Sequence, residues 1–260
     1  MNGRGNSIAR ARAIYEGRLD PTRTRAMRDH LDTAAADSSA LAATSVLCDY
    51  LNRWNDAGPD EVTKAEAAVH HALTVKPDHH LGHYAKGFLH RTRGEHEDAL
   101  AAFTETIKHK PDFARAHAQR GAELIYLGRP DEGIAEVENA IKISPNSSSL
   151  GMFHWIIGRG RFFMGQYAEA IEPLRLSVRL WPHLWYNRLY LVSAHALLGN
   201  RAAARRALRA FDKQFPGYTL ARVAVEERTN PNSGQFMTEG RRKFHEGLES
   251  AGMPAGAAGS

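Results

Sequence analysis

The chain has 260 residues, 43% of them apolar and 24% charged, which is enough to bury a continuous core and excludes a fully disordered polymer. No run approaches the roughly 20 consecutive apolar residues of a membrane span. No apolar signal core opens the sequence, and Cys48 is the single cysteine, so an internal disulfide is excluded and a cytoplasmic protein is expected.

The net charge of +5 is concentrated at one end. Residues 1–28 hold seven arginines, among them Arg4, Arg10, Arg12 and Arg18, against Glu16 and Asp20 alone, and the remainder balances. Residues 1–43 are therefore expected to form a basic helical arm or cap, with helices over Ser7–Glu16 and Pro21–Ala35. Strand-like alternation is absent, and Ala, Leu, Arg and Glu fill the periodic stretches, so the whole chain reads as helix. Ala40–Trp54 and Lys64–Val75 make a first, degenerate pair within 44–79, joined by the turn Asn55-Asp56-Ala57-Gly58-Pro59. Four clearer pairs follow in units 80–113, 114–147, 151–182 and 183–216. Their helices are expected over His80–Arg93 with Glu97–His109, Ala114–Leu127 with Pro130–Ile143, Met152–Met164 with Tyr167–Leu180, and Leu184–Leu198 with Arg201–Gln214. Pro173 falls inside one of these helices, where its missing N–H predicts a kink. Residues 217–252 read as two capping helices, Tyr218–Glu227 and Phe236–Gly252, and the Gly/Ala-rich residues 253–260 read as a disordered tail.

The pairs are copies of one unit. Pro77, Pro111 and Pro145 stand 34 residues apart, and after one step of 37, Pro182 and Pro216 stand 34 apart again. Gly94, Gly128, Gly165 and Gly199 keep these steps, as do Ala99, Gly133, Ala170 and Ala204, and Phe103, Val137, Leu174 and Leu208. A further column, Gly87, Gly121 and Gly158, runs seven residues ahead of the first glycine column. The extra three residues thus fall between units, near Ser147-Ser148-Ser149, where an insertion leaves the packed helices intact. Together, these columns resemble the tetratricopeptide repeat over residues 44–216, about five units. The aromatic usual early in the first helix of that repeat is replaced by His83 and His117 in two units. The resemblance implies an all-α fold, a right-handed α-solenoid of helix-turn-helix units whose first helices line a concave face.

Gly128-Arg129-Pro130-Asp131-Glu132-Gly133-Ile134-Ala135, Ile143-Ser144-Pro145 and the stretch from Phe215 to Arg222 resemble the repeat regions that follow the catalytic domain in bacterial class III adenylate cyclases, especially of rhizobial type. Glu246 to Pro254 is similar to the ends of those chains. No cyclase domain is expected here, since helices occupy the available length. That likeness implies a detached interaction module, linked to bacterial signalling.

By family resemblance, the concave columns hold Tyr84, Phe88 and Arg91, then Arg115, Gln119 and Tyr126, then Trp155, Arg159 and Phe163, and last Asn187, Arg188 and His195. Aromatic anchors beside guanidinium groups suit a peptide or protein partner that carries apolar and acidic groups. The expected function is a non-enzymatic protein-interaction scaffold, with homo-oligomers compatible with the pattern. The Lys, Asn and Arg set with which the family clamps chaperone tails is not reproduced, so no chaperone partner is expected. Two other readings stand beside it: a nucleic-acid-associated regulator using the arginine arm, and a small-molecule sensor. No catalytic residue, cofactor or metal is expected. His70, His71, His79, His80, His83, His90 and His96 cluster, and His79 and His83 share a helix face, but no carboxylate or cysteine stands at supporting spacing. Gly158-Arg159-Gly160-Arg161 lacks the preceding strand and the Lys-Ser/Thr ending of a phosphate loop.

Overall fold

A computed structural model describes residues 59–182, 184–227 and 235–256. The arginine arm, Cys48, the Ala40–Trp54 segment and the tail from 257 onward lie outside the described residues. Eleven helices account for the regular structure of the described residues. They are α1 (Pro59–Val75), α2 (His80–Thr92), α3 (His96–His109), α4 (Ala114–Tyr126), α5 (Pro130–Ile143) and α6 (Leu150–Phe163). They continue as α7 (Tyr167–Leu180), α8 (Trp185–Leu197), α9 (Arg201–Gln214), α10 (Leu220–Glu227) and α11 (Gln235–Ala251). Ten of the helices begin and end within two residues of the sequence-based ranges. The exception is α1, which starts at Pro59 rather than Lys64, because proline is well suited to a first helical turn whose N–H groups lack intrahelical acceptors. Helix α7 continues through Pro173 as one element.

The chain divides into two compact units, one ending at Ala116 and one beginning at His117, so the boundary falls within α4. In the first unit α2 packs on α1 and α3. In the second, α6 packs on α5 and α7, and α8 packs on α7 and α9.

The sequence columns explain how each pair closes. Gly94, Gly128, Gly165 and Gly199 all sit at φ between +75° and +77°, just past the end of a first helix. At each, the glycine N–H and the N–H after it return to carbonyls of the last helical turn, for example Gly94 to Arg91 O at 2.9 Å and Glu95 to His90 O at 2.9 Å. This is the reversal in which a left-handed residue satisfies the orphan carbonyls of a helix end. Two other columns then meet. A Cβ on Gly87 would stand 2.6 Å from the Phe103 ring, one on Gly121 would stand 2.7 Å from Val137 Cγ2, and one on Gly158 would stand 2.7 Å from Leu174 Cγ. Glycine on the first helix is thus the socket for the bulky apolar residue on the second, and Ala99, Ala170 and Ala204 on the second helices are fully buried.

Helix α6 buries ten of its fourteen residues, whereas α9 buries only Ala204, Leu208 and Phe211. A helix that is apolar on most sides needs cover on most sides, and α11 supplies it. Helix α11 folds back onto the first helices α6 and α8. Phe244 stacks on Tyr190 with ring centroids 4.0 Å apart, and Ser193 Oγ donates to the Phe244 carbonyl at 3.0 Å. Gly240 and Gly247 permit this approach, because a Cβ at either would run into Phe163 or Ser193.

Candidate functional site

The twelve residues expected on one face divide sharply. In the first unit, Phe88 is 0% exposed and Tyr84 is buried beside it. Their rings pack on each other (5.0 Å) and on Phe103 (5.6 Å from Tyr84, 5.4 Å from Phe88). This corrects the sequence expectation for both: they are the core of the second repeat. The Arg91 guanidinium lies 5.2 Å from the Phe88 ring centroid and 5.3 Å from that of Phe103. Arg115 stands 5.8 Å from Tyr84. Both arginines are half-buried.

In the second unit Gln119 is buried, with its Nε2 3.0 Å from Met152 Sδ. Asn187 is 0% exposed and its Nδ2 donates to Ser177 Oγ at 3.2 Å and Trp181 O at 3.3 Å, tying α8 to α7 and the turn before it. Both are corrected from face residues to interior hydrogen-bonding residues. Phe163 is covered by Gly240 and Phe236 of α11. Arg188 is half-buried and bonds the Pro182 carbonyl through Nε and Nη2, while burial lowers its pKa. His195 is half-buried, and burial together with nearby Arg206 holds its pKa below the ordinary value.

Three of the expected residues do come together. Arg159 Nη1 donates to Tyr126 Oη at 2.9 Å, and the guanidinium lies 4.6 Å from the Tyr126 ring centroid and 5.4 Å from that of Trp155. Trp155 in turn packs on Tyr186 (4.8 Å) and Tyr190 (5.0 Å). Burial opposes the Arg159 charge, but the phenols of Tyr126, Tyr190 and Tyr186 outweigh it and hold its pKa above the ordinary value. No carboxylate among the described residues is paired with it. Tyr186 and Tyr190 were missed in the sequence reading. Their signal was available: they stand four residues apart on α8, as Trp155 and Arg159 do on α6, and residues at that spacing share a helix face.

A groove of about 380 Å³ lies in the first unit between α1 and α2, lined by Glu66, Val69, Leu73, Leu89, His90 and Arg93 among others. Within it Arg93 Nη2 donates to Glu66 Oε2 at 2.7 Å. The histidine pair considered for a metal is engaged elsewhere: His79 stacks on His80, while His83 stacks on His109 and approaches the Pro77 carbonyl. Among the described residues the one set close enough to share an ion is His90, Glu95 and Asp98, with both carboxylates exposed and His90 Nδ1 already 2.6 Å from Glu95 Oε2.

No family model matches the chain. Among solved structures it is similar to PilW, a type IV pilus biogenesis factor, with a TM-score of 0.61 at 17% identity over 83% of this chain and 98% of that one. It is also similar to a thermophilic TPR protein of Thermus thermophilus, with a TM-score of 0.56 at 17% identity over 74% and 98%. A tetratricopeptide repeat protein from Parabacteroides merdae gives 0.52 at 14% identity over 95% and 98%. The fold is that of the tetratricopeptide repeat. Two curated relatives match a shorter part: the human DnaJ homolog subfamily C member 3, 27% identical over 88 residues, and Hsp70-Hsp90 organizing protein 1 of Glycine max, 29% identical over 89 residues. These alignments take in 34% of this chain and 18% and 15% of the respective relatives, so the chain spans less than a fifth of their length. No helix of the described residues is long and apolar enough to cross a membrane.

Proposed function

We propose that this tetratricopeptide-repeat chain is a non-enzymatic scaffold that binds a peptide or protein partner on the first-helix face of its repeats. The observation that carries this reading is the cluster of Tyr126, Arg159 and Trp155, presented by α4 and α6 and extended by Tyr186 of α8. Most side chains in these first helices are used up in packing. Arg159, Tyr126 and Tyr186 remain half-exposed, and they combine ring area with a fixed positive charge. Aromatic and arginine groups of this kind are the usual energetic anchors of an interface. A partner with apolar side chains and an acidic group complements them.

The breadth of the surface is set by α11. Because it lies on α6 and α8, it covers Phe163, while Tyr126, Arg159 and Tyr186 keep part of their surface exposed and Trp155 is buried beneath them. The names of the curated relatives, a DnaJ homolog and a chaperone-organizing protein, support a role in protein association. The likeness of the Gly128–Ala135 and Phe215–Arg222 stretches to cyclase repeat regions is the ground for placing that association in bacterial cytoplasmic signalling.

The test is affinity co-purification from native cytosol, comparing wild type with Arg159→Ala and Tyr186→Ala. A protein retained by wild type and lost from both variants, with helical content unchanged, supports the reading. Identical recovery with all three refutes the assignment of this face.

A further inference from the structure

Helix α9 carries Arg201, Arg205, Arg206, Arg209 and Lys213 against one acid, Asp212, whose pKa burial raises. All five cations are exposed, and none forms a salt bridge or a side-chain hydrogen bond among the described residues. With about 100° between successive helical residues, they fall within a sector of about 140° beside the buried stripe of Ala204, Leu208 and Phe211. Arg201, Arg205, Arg209 and Lys213 form one row at four-residue spacing, about 18 Å long. Like charges at that spacing repel and weaken the helix that holds them.

The end of the repeat array accounts for part of this. Leu100, Ile134 and Ile171 occupy the Arg205 position in the earlier units, and Ile134 is buried. The last of the tandem units has no further unit to cover that column, so its outer face is polar. Polarity does not require a single sign, and other second helices mix the two. Arg175 pairs with Glu172 on α7, and Lys108 with Glu105 on α3. Outside residues 1–28 the charges of the chain balance, so α9 is a local concentration of positive charge.

We propose that the exposed face of α9 binds the phosphate backbone of duplex DNA without reading its sequence. This goes beyond the scaffold reading and uses a second helix, not the first-helix face. Five cations over about 18 Å give roughly one per 4 Å, close to the one phosphate per about 3.4 Å of each DNA strand. Four of the five are guanidinium groups, which bond phosphate oxygens in pairs. Ala202 and Ala210 are exposed among them, so the intervening side chains are too short to hold a backbone away. The sector has no aromatic ring. It therefore lacks the anchors of a protein interface and the stacking platforms of a single-strand site. Its apolar stripe is packed in the core and is not available for insertion into a lipid surface. A duplex backbone, a line of charge, requires none of these.

The experiment measures fluorescence anisotropy of a labelled DNA duplex of arbitrary sequence, titrated with the full chain across a sodium chloride series. The test variant is Arg205→Gln/Arg206→Gln/Arg209→Gln. A control of equal net charge, Lys108→Gln/Lys142→Gln/Arg175→Gln, removes exposed cations from α3, α5 and α7. Residues 1–28 are kept in every protein. Wild type is expected to bind two unrelated duplexes equally, with affinity falling as salt rises. The α9 variant is expected to bind at least about tenfold more weakly, with a salt slope shallower by roughly 0.9 for each cation removed. The control is expected to stay within about twofold of wild type. Circular dichroism should not change, because the removed groups bond to nothing among the described residues. Should the triple α9 variant fail to fold, Arg205→Gln/Arg209→Gln is expected to weaken binding with two cations' loss of slope. No duplex binding by wild type at low salt overturns the proposal, as do wild-type affinity and slope in a folded α9 variant. Equal losses in the α9 variant and the control overturn it too, because net charge alone would then account for the binding. Single-stranded DNA, poly-glutamate or phosphatidylserine vesicles bound as tightly as the duplex overturn the choice of partner.

Discussion

Phe88→Ala separates a core role from a binding role at a position where the repeat pattern and the packing disagree. The ring is 0% exposed and is held edge-on by Tyr84 at 5.0 Å and Phe103 at 5.4 Å, with the Arg91 guanidinium at 5.2 Å. Truncation removes the ring and leaves a cavity between α2 and α3 that neighbouring helices cannot fully close. Phe→Ala changes of this kind cost about 3–5 kcal/mol, whereas a substitution on an open face costs within roughly 0.5 kcal/mol. With a urea slope of about 1–3 kcal/mol/M, the core value moves the unfolding midpoint by at least about 1 M. The assay is urea unfolding followed by far-ultraviolet circular dichroism, with amide exchange in α2 and α3 as the local readout. A midpoint within experimental error of wild type, together with lost partner capture, would refute the reasoning and return Phe88 to the ligand face.

Gly247→Ala should destabilise the docking of α11 by about 1–3 kcal/mol, because the new methyl collides with Ser193 of α8. Faster amide exchange confined first to residues 235–251 is the expected signature. Gly199→Ala meets no neighbour within 4 Å, so its cost is backbone strain alone at φ +76°, about 1–2 kcal/mol, read as a lower melting temperature with an unchanged fold. Acidification from neutral pH should lower stability in two stages. Burial lowers the folded-state pKa of His79, His80, His154 and His195. The unfolded chain therefore binds more protons, and stability is lost as pH falls through the ordinary histidine value of 6.5. Burial pushes Glu136 upward, but hydrogen bonds from His117 and Arg120 outweigh it and hold its pKa below 4.5. Its contribution is present above that value and is lost as pH falls through the depressed one. Glu136→Gln should flatten the second stage in a chemical-denaturation series against pH, and an unchanged acid limb would remove Glu136 as its source.

Much of the repeat was legible because it is written in local chemistry. Gly94, Gly128, Gly165 and Gly199 end first helices because their φ values are open to glycine at little cost, and a column of prolines cannot lie in the helices that precede it. The pairing of the Gly87, Gly121 and Gly158 column with Phe103, Val137 and Leu174 was present in the sequence as two columns. Only packing showed that they are a single contact. The candidate face was legible in part. Tyr126, Trp155 and Arg159 were named and do meet, but Phe88 and Asn187, drawn from the same columns, are interior. Repeat position gives the direction in which a side chain leaves its helix, and not what stands opposite.

The sequence by itself determined ten of the eleven helices of the described residues to within two residues of their ends, since helix ends depend on residues within a turn or two of one another. Tertiary structure alone decided that α11 returns to cover α6 and α8, that Tyr190 stacks on Phe244, and that Arg159 meets phenols and no carboxylate among the described residues. Those outcomes depend on groups tens of residues apart, whose meeting is set by the shape of the packed helices and leaves no fixed spacing in the chain.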